Sequence, residues 1–388
     1  MKNLSQVTKN IDGQPMFKYL DKAKTLEAQG KHLIHMEIGE PDFDTPMNVT
    51  WAAVKSLASG ETHYESSFGL LEFRQAVQFA TERSRGFRPD IDQILITPGA
   101  NIAIFYAVFC LVDPGYEVIV PDPGFSTYYS NIKMCGAVPV RVPLKEENQF
   151  RMNPSDIEAA ITDKTRLIII NSPQNPTGSL LTQEDVKRIY EIAKKYDIYV
   201  YSDEIYARMT YDPVGFSSPS IYDHCREHVI LANGFSKAFA MTGWRLGTVI
   251  GPSVVIERMA ALLQTTSSCV SPFIQRAGIE AIRGSQETVT NMMHEYKMRR
   301  DLLVDGLNRI KGITCLKPGG AFYVFPNIKD TGLTSDEVVE KLLQGGVVTL
   351  PGHCFGEYGN GYIRLCYATS RENIQEALHR IQKVLGLK

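Results

Sequence analysis

The sequence predicts an α/β protein in which a mostly parallel central sheet is covered by helices. Three observations lead there. Short Val- and Ile-rich runs alternate with segments of helical period through the middle of the chain, the pattern made by parallel strands joined through helical crossovers. A length of 388 residues fits one large domain plus a smaller one better than a single small core. After about residue 280 the alternation gives way to a long amphipathic stretch, Gly-rich loops and strand-like pieces.

In chain order, the apolar runs predict strands at 94–97, 117–120, 138–142, 167–171, 198–202, 229–232 and 247–251. Helices are predicted between them at 101–112, 126–135, 156–160 and 184–196. Thr182-Gln183-Glu184-Asp185 opens the last of these with a capping-box pattern that satisfies free amides of the first turn. Beyond it, residues 287–310 form an amphipathic stretch around Met298-Arg299-Arg300-Asp301, and a terminal helix is expected from Glu372. These shifts place a large domain at 46–284 and a smaller α+β domain, with an N-terminal arm, at 1–45 and 285–388.

Composition narrows the function. Lys and Arg number 41 against 43 Asp and Glu, for a formal charge of −2, with 44% hydrophobic residues, so binding nucleic acid through general electrostatics is disfavoured. The cysteines are seven and form no CxxC pair, which fits neither a zinc ribbon nor a disulfide scaffold. The opening residues lack a signal peptide's apolar run, and no stretch reaches the roughly 18 apolar residues of a membrane span. A soluble cytoplasmic protein without membrane or nucleic-acid partners is the expectation.

The chemistry concentrates in three segments. Asn233-Gly234-Phe235-Ser236-Lys237-Ala238-Phe239-Ala240-Met241-Thr242-Gly243-Trp244-Arg245 places a lysine after a buried strand, in a small-residue loop with an arginine eight residues on. Alone, Lys237 reads either as a solvated surface residue or as an amine whose pKa is lowered by nearby positive charge for attack on a carbonyl. Ser172-Pro173-Gln174-Asn175-Pro176-Thr177-Gly178 offers a carboxamide at a strand's C-terminal end, where open α/β sheets bind ligands. Tyr199-Val200-Tyr201-Ser202-Asp203-Glu204-Ile205-Tyr206 ends another strand with a carboxylate and a phenol three apart, and a buried Asp203 calls for a cationic partner. His224-Cys225-Arg226-Glu227-His228 matches a zinc-protease pattern but has no evident third ligand, and no metal site is expected. Residues 234–238 lack the second Gly of a nucleophile elbow, and neither GxxxxGK[ST] nor GxGxxG occurs.

Together with Ile38-Gly39-Glu40-Pro41-Asp42-Phe43-Asp44-Thr45-Pro46 and Tyr362-Ile363-Arg364-Leu365-Cys366-Tyr367-Ala368, these segments run in an order and spacing that resembles the fold-type I pyridoxal 5'-phosphate (PLP) aminotransferases of class I/II. The resemblance is strongest to the subgroup of archaeal aromatic and bacterial aspartate aminotransferases. It implies the PLP-dependent transferase fold and a PLP cofactor. Lys237 is then the Schiff-base lysine and the base that moves the substrate Cα proton. By the same resemblance Asp203 faces the pyridine nitrogen, Asn175 and Tyr206 bond the ring's phenolic oxygen, and Phe125 stacks on the ring. The phosphate is implied to rest on Gly99, Ala100 and Asn101, at free amides opening a helix, with Ser236, Arg245 and a neighbouring subunit's Tyr64. Arg364 grips the substrate α-carboxylate, a task suited to a planar guanidinium, with a backbone contact from Gly39. A homodimer sharing Tyr64, acting on amino acids and 2-oxo acids by a ping-pong mechanism, follows.

Relatives that favour dicarboxylates set a second cation against the distal carboxylate. One branch uses a lysine where this chain has Asn101; another uses a partner arginine in the stretch matching Leu263-Gln264-Thr265-Thr266-Ser267-Ser268-Cys269, which has no basic residue here. Aromatic or large hydrophobic amino acids are therefore the expected donors. Aspartate amino transfer is the alternative, as is a PLP-dependent lyase, cyclase or synthase on the same scaffold. The N-terminal arm, Asp12-Gly13-Gln14-Pro15-Met16-Phe17, departs from the subgroup's Ser-containing pattern. Gly319-Gly320-Ala321-Phe322-Tyr323 reads as a tight turn into a strand near the substrate entrance.

Overall fold

The computed structural model describes residues 3, 5–9, 13, 16–212 and 215–386. Its strands are β1 (Ile34–His35), β2 (Ile94–Thr97), β3 (Glu117–Asp122), β4 (Val138–Pro143), β5 (Thr165–Asn171), β6 (Tyr199–Asp203), β7 (Val229–Gly234), β8 (Gly247–Ile250), β9 (Tyr323–Val324), β10 (Val347–Val348), β11 (Leu350–Pro351) and β12 (Ile363–Cys366). Seven of them form the main sheet in the order β2-β8-β7-β6-β5-β3-β4. Every pairing is parallel except those of β8, which runs antiparallel to both β2 and β7.

The strand sequences explain why helices cover both faces. Within β5, Leu167 and Ile169 pack into one apolar cluster while Ile168 and Ile170 pack into another on the opposite face, as a period of two requires. One face carries the helices Ala100–Leu111 and Ser253–Ser267, and the other carries Gln183–Tyr196. The Thr182 box forms as expected: its hydroxyl accepts from the Asp185 amide at 3.1 Å and its own amide donates back to the Asp185 carboxylate at 3.0 Å.

A smaller unit combines both chain ends. β1 pairs in parallel with β10, and β11, β12 and β9 form an antiparallel sheet flanked by the helices Ser335–Gln344 and Arg371–Leu385. The amphipathic stretch expected at 287–310 is the helix Glu287–Leu307. No helix among the described residues is long and apolar enough to cross a membrane.

Register positions the site. Asn171 stands beside Asp203, and Asp203 beside Ala232, so the C-terminal ends of β5, β6 and β7 open side by side. Strand C-termini of a parallel sheet deliver their next residues to one crevice.

Candidate active site

That crevice is a cavity of about 210 Å³, closed from above by residues 38–39 and by Tyr323 and Arg364 of the smaller unit. Lys237 enters it from the loop after β7, which Phe235 and Phe239 anchor by burial and mutual stacking at 5.4 Å. Its Nζ donates to the carbonyl of Gly39 at 2.6 Å. Burial pushes the amine down to about 8; Arg364 and Arg245 push the same way, against Cys366 and Glu40. Gly39 must lack a side chain, because a Cβ there would overlap the Tyr323 hydroxyl.

Asp203 ends β6 beneath the cavity. Burial raises its carboxyl to about 6, against a hydrogen bond donated by Tyr128 Oη at 2.6 Å and another from the Ile205 amide at 3.2 Å. No lysine or arginine lies within ion-pair distance of it among the described residues. Asn171 donates to the Asp203 carbonyl at 3.0 Å and accepts from the Asn175 amide at 2.9 Å, which holds the turn carrying Asn175 against the end of β6. The Tyr206 hydroxyl, also buried, meets the Tyr323 hydroxyl at 2.8 Å.

An anion cradle lies at one end. Gly99 has φ +90° and caps the helix Ala100–Leu111 without a side-chain bond to its amides, so those N–H groups face the cavity at the positive end of the helix dipole. A Cβ on Gly99 would stand 2.5 Å from Arg245 Nη2, and one on Gly247 would stand 2.7 Å from the Ala100 nitrogen. Both glycines therefore let Arg245 and the start of the helix Ala100–Leu111 pack close together, an arrangement of amides and cation that could receive an anion. Arg245 itself sits at φ +54°, backbone strain of the kind found at ligand clamps, and among the described residues its one hydrogen bond goes to the Thr242 carbonyl, at 2.9 Å.

Arg364 occupies the other end. Fully buried on β12, its guanidinium lies 4.6 Å from the Tyr323 ring and 4.7 Å from the Phe355 ring. It donates to Asn175 Oδ1 at 3.0 Å and to the Glu37 carbonyl, and its Nε has no partner. Among the described residues no carboxylate pairs with it, so a buried cation faces the cavity needing an anion.

Of the residues singled out from sequence, Gly39, Ala100, Asn101, Phe125, Asn175, Asp203, Tyr206, Ser236, Lys237, Arg245 and Arg364 line this one cavity, and Gly99 backs it. Tyr64 does not; it stands 86% exposed on the protomer surface. Sequence reading missed Tyr128 and Asn171. Tyr128 lies in the first turn of the helix that Phe125 caps, three residues on, and its ring meets that of Phe125 at 5.6 Å, a spacing that could have found it. Tyr323 proves to be a wall of the site. Met16 lines the cavity too, whereas Asp12, Gln14 and Pro15 of the arm lie outside the described residues. His224 and Cys225 are remote: His224 stacks on Phe87 at 4.8 Å, and Cys225 is buried.

The family model for aminotransferase class I and II matches residues 31–381. An aspartate aminotransferase of Pyrococcus horikoshii is 44% identical over 356 residues, covering 91% of this chain and 90% of that protein. Aromatic-amino-acid aminotransferase 2 of Thermococcus litoralis is 40% identical and covers 99% of both. Among solved structures, the aspartate aminotransferase from Thermus thermophilus with maleate superposes with a TM-score of 0.95 at 35% identity, over 99% of this chain and 100% of that one. Agreement in sequence and fold along nearly the whole chain makes this protein an aminotransferase, a member of the class I and II family.

Proposed function

We propose that this aminotransferase moves the amino group of an aromatic or large hydrophobic L-amino acid to a 2-oxo acid, using the PLP cofactor that its family implies. One observation carries the reading: around the Lys237 amine converge Asp203, Arg245 and Arg364, none with an ion-pair partner among the described residues. Each lacks the partner that one part of the cofactor or substrate would supply. PLP, when bound, provides the electron sink that stabilises negative charge at a substrate Cα. Gly99, Ala100, Asn101, Ser236 and Arg245 would hold its phosphate. Asp203, oriented by Tyr128, would keep the ring nitrogen protonated, Asn175 and Tyr206 would bond the ring oxygen, and Phe125 would pack on the ring.

Lys237 Nζ moves the proton at the substrate Cα. An amine held near 8 is a far better base near neutral pH than an ordinary lysine. Arg364 receives the α-carboxylate, with Gly39 as backbone contact. Among the described residues, Lys237, Arg245 and Arg364 are the lysines and arginines lining the cavity, and all three have these tasks, so none of them is left for a distal carboxylate. Met16, Ile38 and Ile104 add apolar wall. Aspartate is the second reading, favoured by the 44% identity to an aspartate aminotransferase; a lyase, cyclase or synthase would share the cofactor residues and differ in products. Comparing kcat/KM for phenylalanine, tyrosine, methionine and aspartate decides among donors, with phenylalanine or tyrosine expected first.

The active assembly in this proposal is a homodimer in which Tyr64 reaches the partner's phosphate. Exposed Tyr64 supports it, as do Met47, Trp51 and Val54, which are 65%, 61% and 43% exposed along one side of the helix Met47–Ala58, an apolar row that a second copy would cover.

A further inference from the structure

Two phenols meet in the wall of the site, and only one can direct its proton into the cavity. The Tyr206 and Tyr323 hydroxyls are 2.8 Å apart, both side chains are buried, and this is the one hydrogen bond either hydroxyl makes among the described residues. A hydroxyl has one proton to donate. If Tyr206 gives its proton to Tyr323, it can only accept from the cavity; if Tyr323 is the donor, the Tyr206 proton is free to point inward.

We propose that Tyr323 is a positioning residue that donates to Tyr206 Oη and thereby aims the Tyr206 proton at the ring oxygen of PLP. The inference rests on the cofactor placement given above. The Tyr323 ring lies edge-on to Tyr206 at 5.8 Å and 81°, and its hydroxyl is held against Gly39, so the two phenols keep each other as partners. The Arg364 guanidinium lies over the Tyr323 ring at 4.6 Å, and a cation there makes the Tyr323 O–H the stronger acid of the pair. Burial raises both phenols, and contact with Tyr323 raises Tyr206 further while Arg364 opposes the rise in each. The other titratable or charged groups facing the pair are Asp203 on β6, Lys237 on the loop after β7, and Cys366 beside Arg364 on β12.

A donor at the ring oxygen favours negative charge there and disfavours a proton on the adjacent Lys237 nitrogen. The test is the pH midpoint of the visible absorption change in PLP-loaded wild type, Tyr323→Phe, Tyr206→Phe and the double variant, with Lys237→Met as control. Tyr323→Phe should raise the midpoint by about half to one unit, one hydrogen bond's worth. Tyr206→Phe should raise it further, and adding Tyr323→Phe to Tyr206→Phe should move it no more, since Tyr323 acts through Tyr206. An unmoved midpoint in Tyr323→Phe, or an equal shift on both backgrounds, overturns the inference while leaving the cofactor placement intact. A wild-type visible band that survives in Lys237→Met overturns both.

Discussion

Arg364 donates through Nη1 to the side-chain carbonyl of Asn175 at 3.0 Å, joining a strand of the smaller unit to the turn that follows β5. The bond holds the guanidinium at the edge of the cavity while its Nε stays without a partner. A cation buried this way is poised for an incoming carboxylate, and the same contact couples the carboxylate end of the site to the residue assigned to the ring oxygen.

Arg364→Leu should lower kcat/KM for every amino acid tested, by about 100-fold or more, because every α-amino acid carries the group it receives. Steady-state kinetics with phenylalanine, methionine and aspartate checks this. A loss confined to one substrate would assign Arg364 to side-chain recognition.

Lys237→Met should abolish turnover while PLP still binds through the phosphate cradle, detectable by equilibrium dialysis. It should also raise the melting temperature of the cofactor-free protein at pH 7. The amine titrates near 8 in the folded state against 10.5 for an ordinary lysine, so the folded state binds fewer protons between those values. Its contribution to stability therefore improves as pH rises through that window, and its penalty is full below 8. The advantage of Met should shrink from pH 8 towards pH 10.5.

Asp203→Asn should reduce kcat by about 100-fold or more, through loss of the group that keeps the ring nitrogen protonated. In the cofactor-free protein the carboxyl titrates near 6, above its ordinary 3.8. The folded state then binds more protons between those values, so stability falls as pH rises from about 4 to 6 and the penalty is full above 6. Thermal melts should show the Asn variant more stable than wild type at pH 8 and equal to it below pH 4.

Asn101→Lys should raise kcat/KM for aspartate relative to phenylalanine by about two- to fivefold, the worth of a partly solvated ion pair. Competition between the two donors in one assay reads this directly. An unchanged ratio would place the substrate side chain away from the helix Ala100–Leu111.

Much of this was legible in the sequence because buried parallel strands write themselves as Val and Ile runs: the seven strands of the main sheet fall within three residues of their expected ends. Direction is another matter. A two-residue period looks alike forwards and backwards, so nothing in Gly247–Ile250 announced that β8 runs antiparallel. Strands of two residues, such as Ile34–His35 and Val347–Val348, are too short to carry a pattern, and their pairing depends on packing between distant segments. In the site, Lys237, Asp203 and Arg364 stood out because each is a charge within an apolar context. Tyr128 and Tyr323 did not, because a tyrosine on a helix or strand is ordinary core until a carboxylate or a second phenol is found against its hydroxyl.

Amino transfer through Lys237 is tested most directly by mixing the PLP-loaded protein with phenylalanine in the absence of any 2-oxo acid and counting products per subunit. One equivalent of the matching 2-oxo acid is expected, with no ammonia, and a halt until an acceptor such as 2-oxoglutarate is added. Continued turnover without an acceptor, releasing ammonia or a rearranged product, would contradict it.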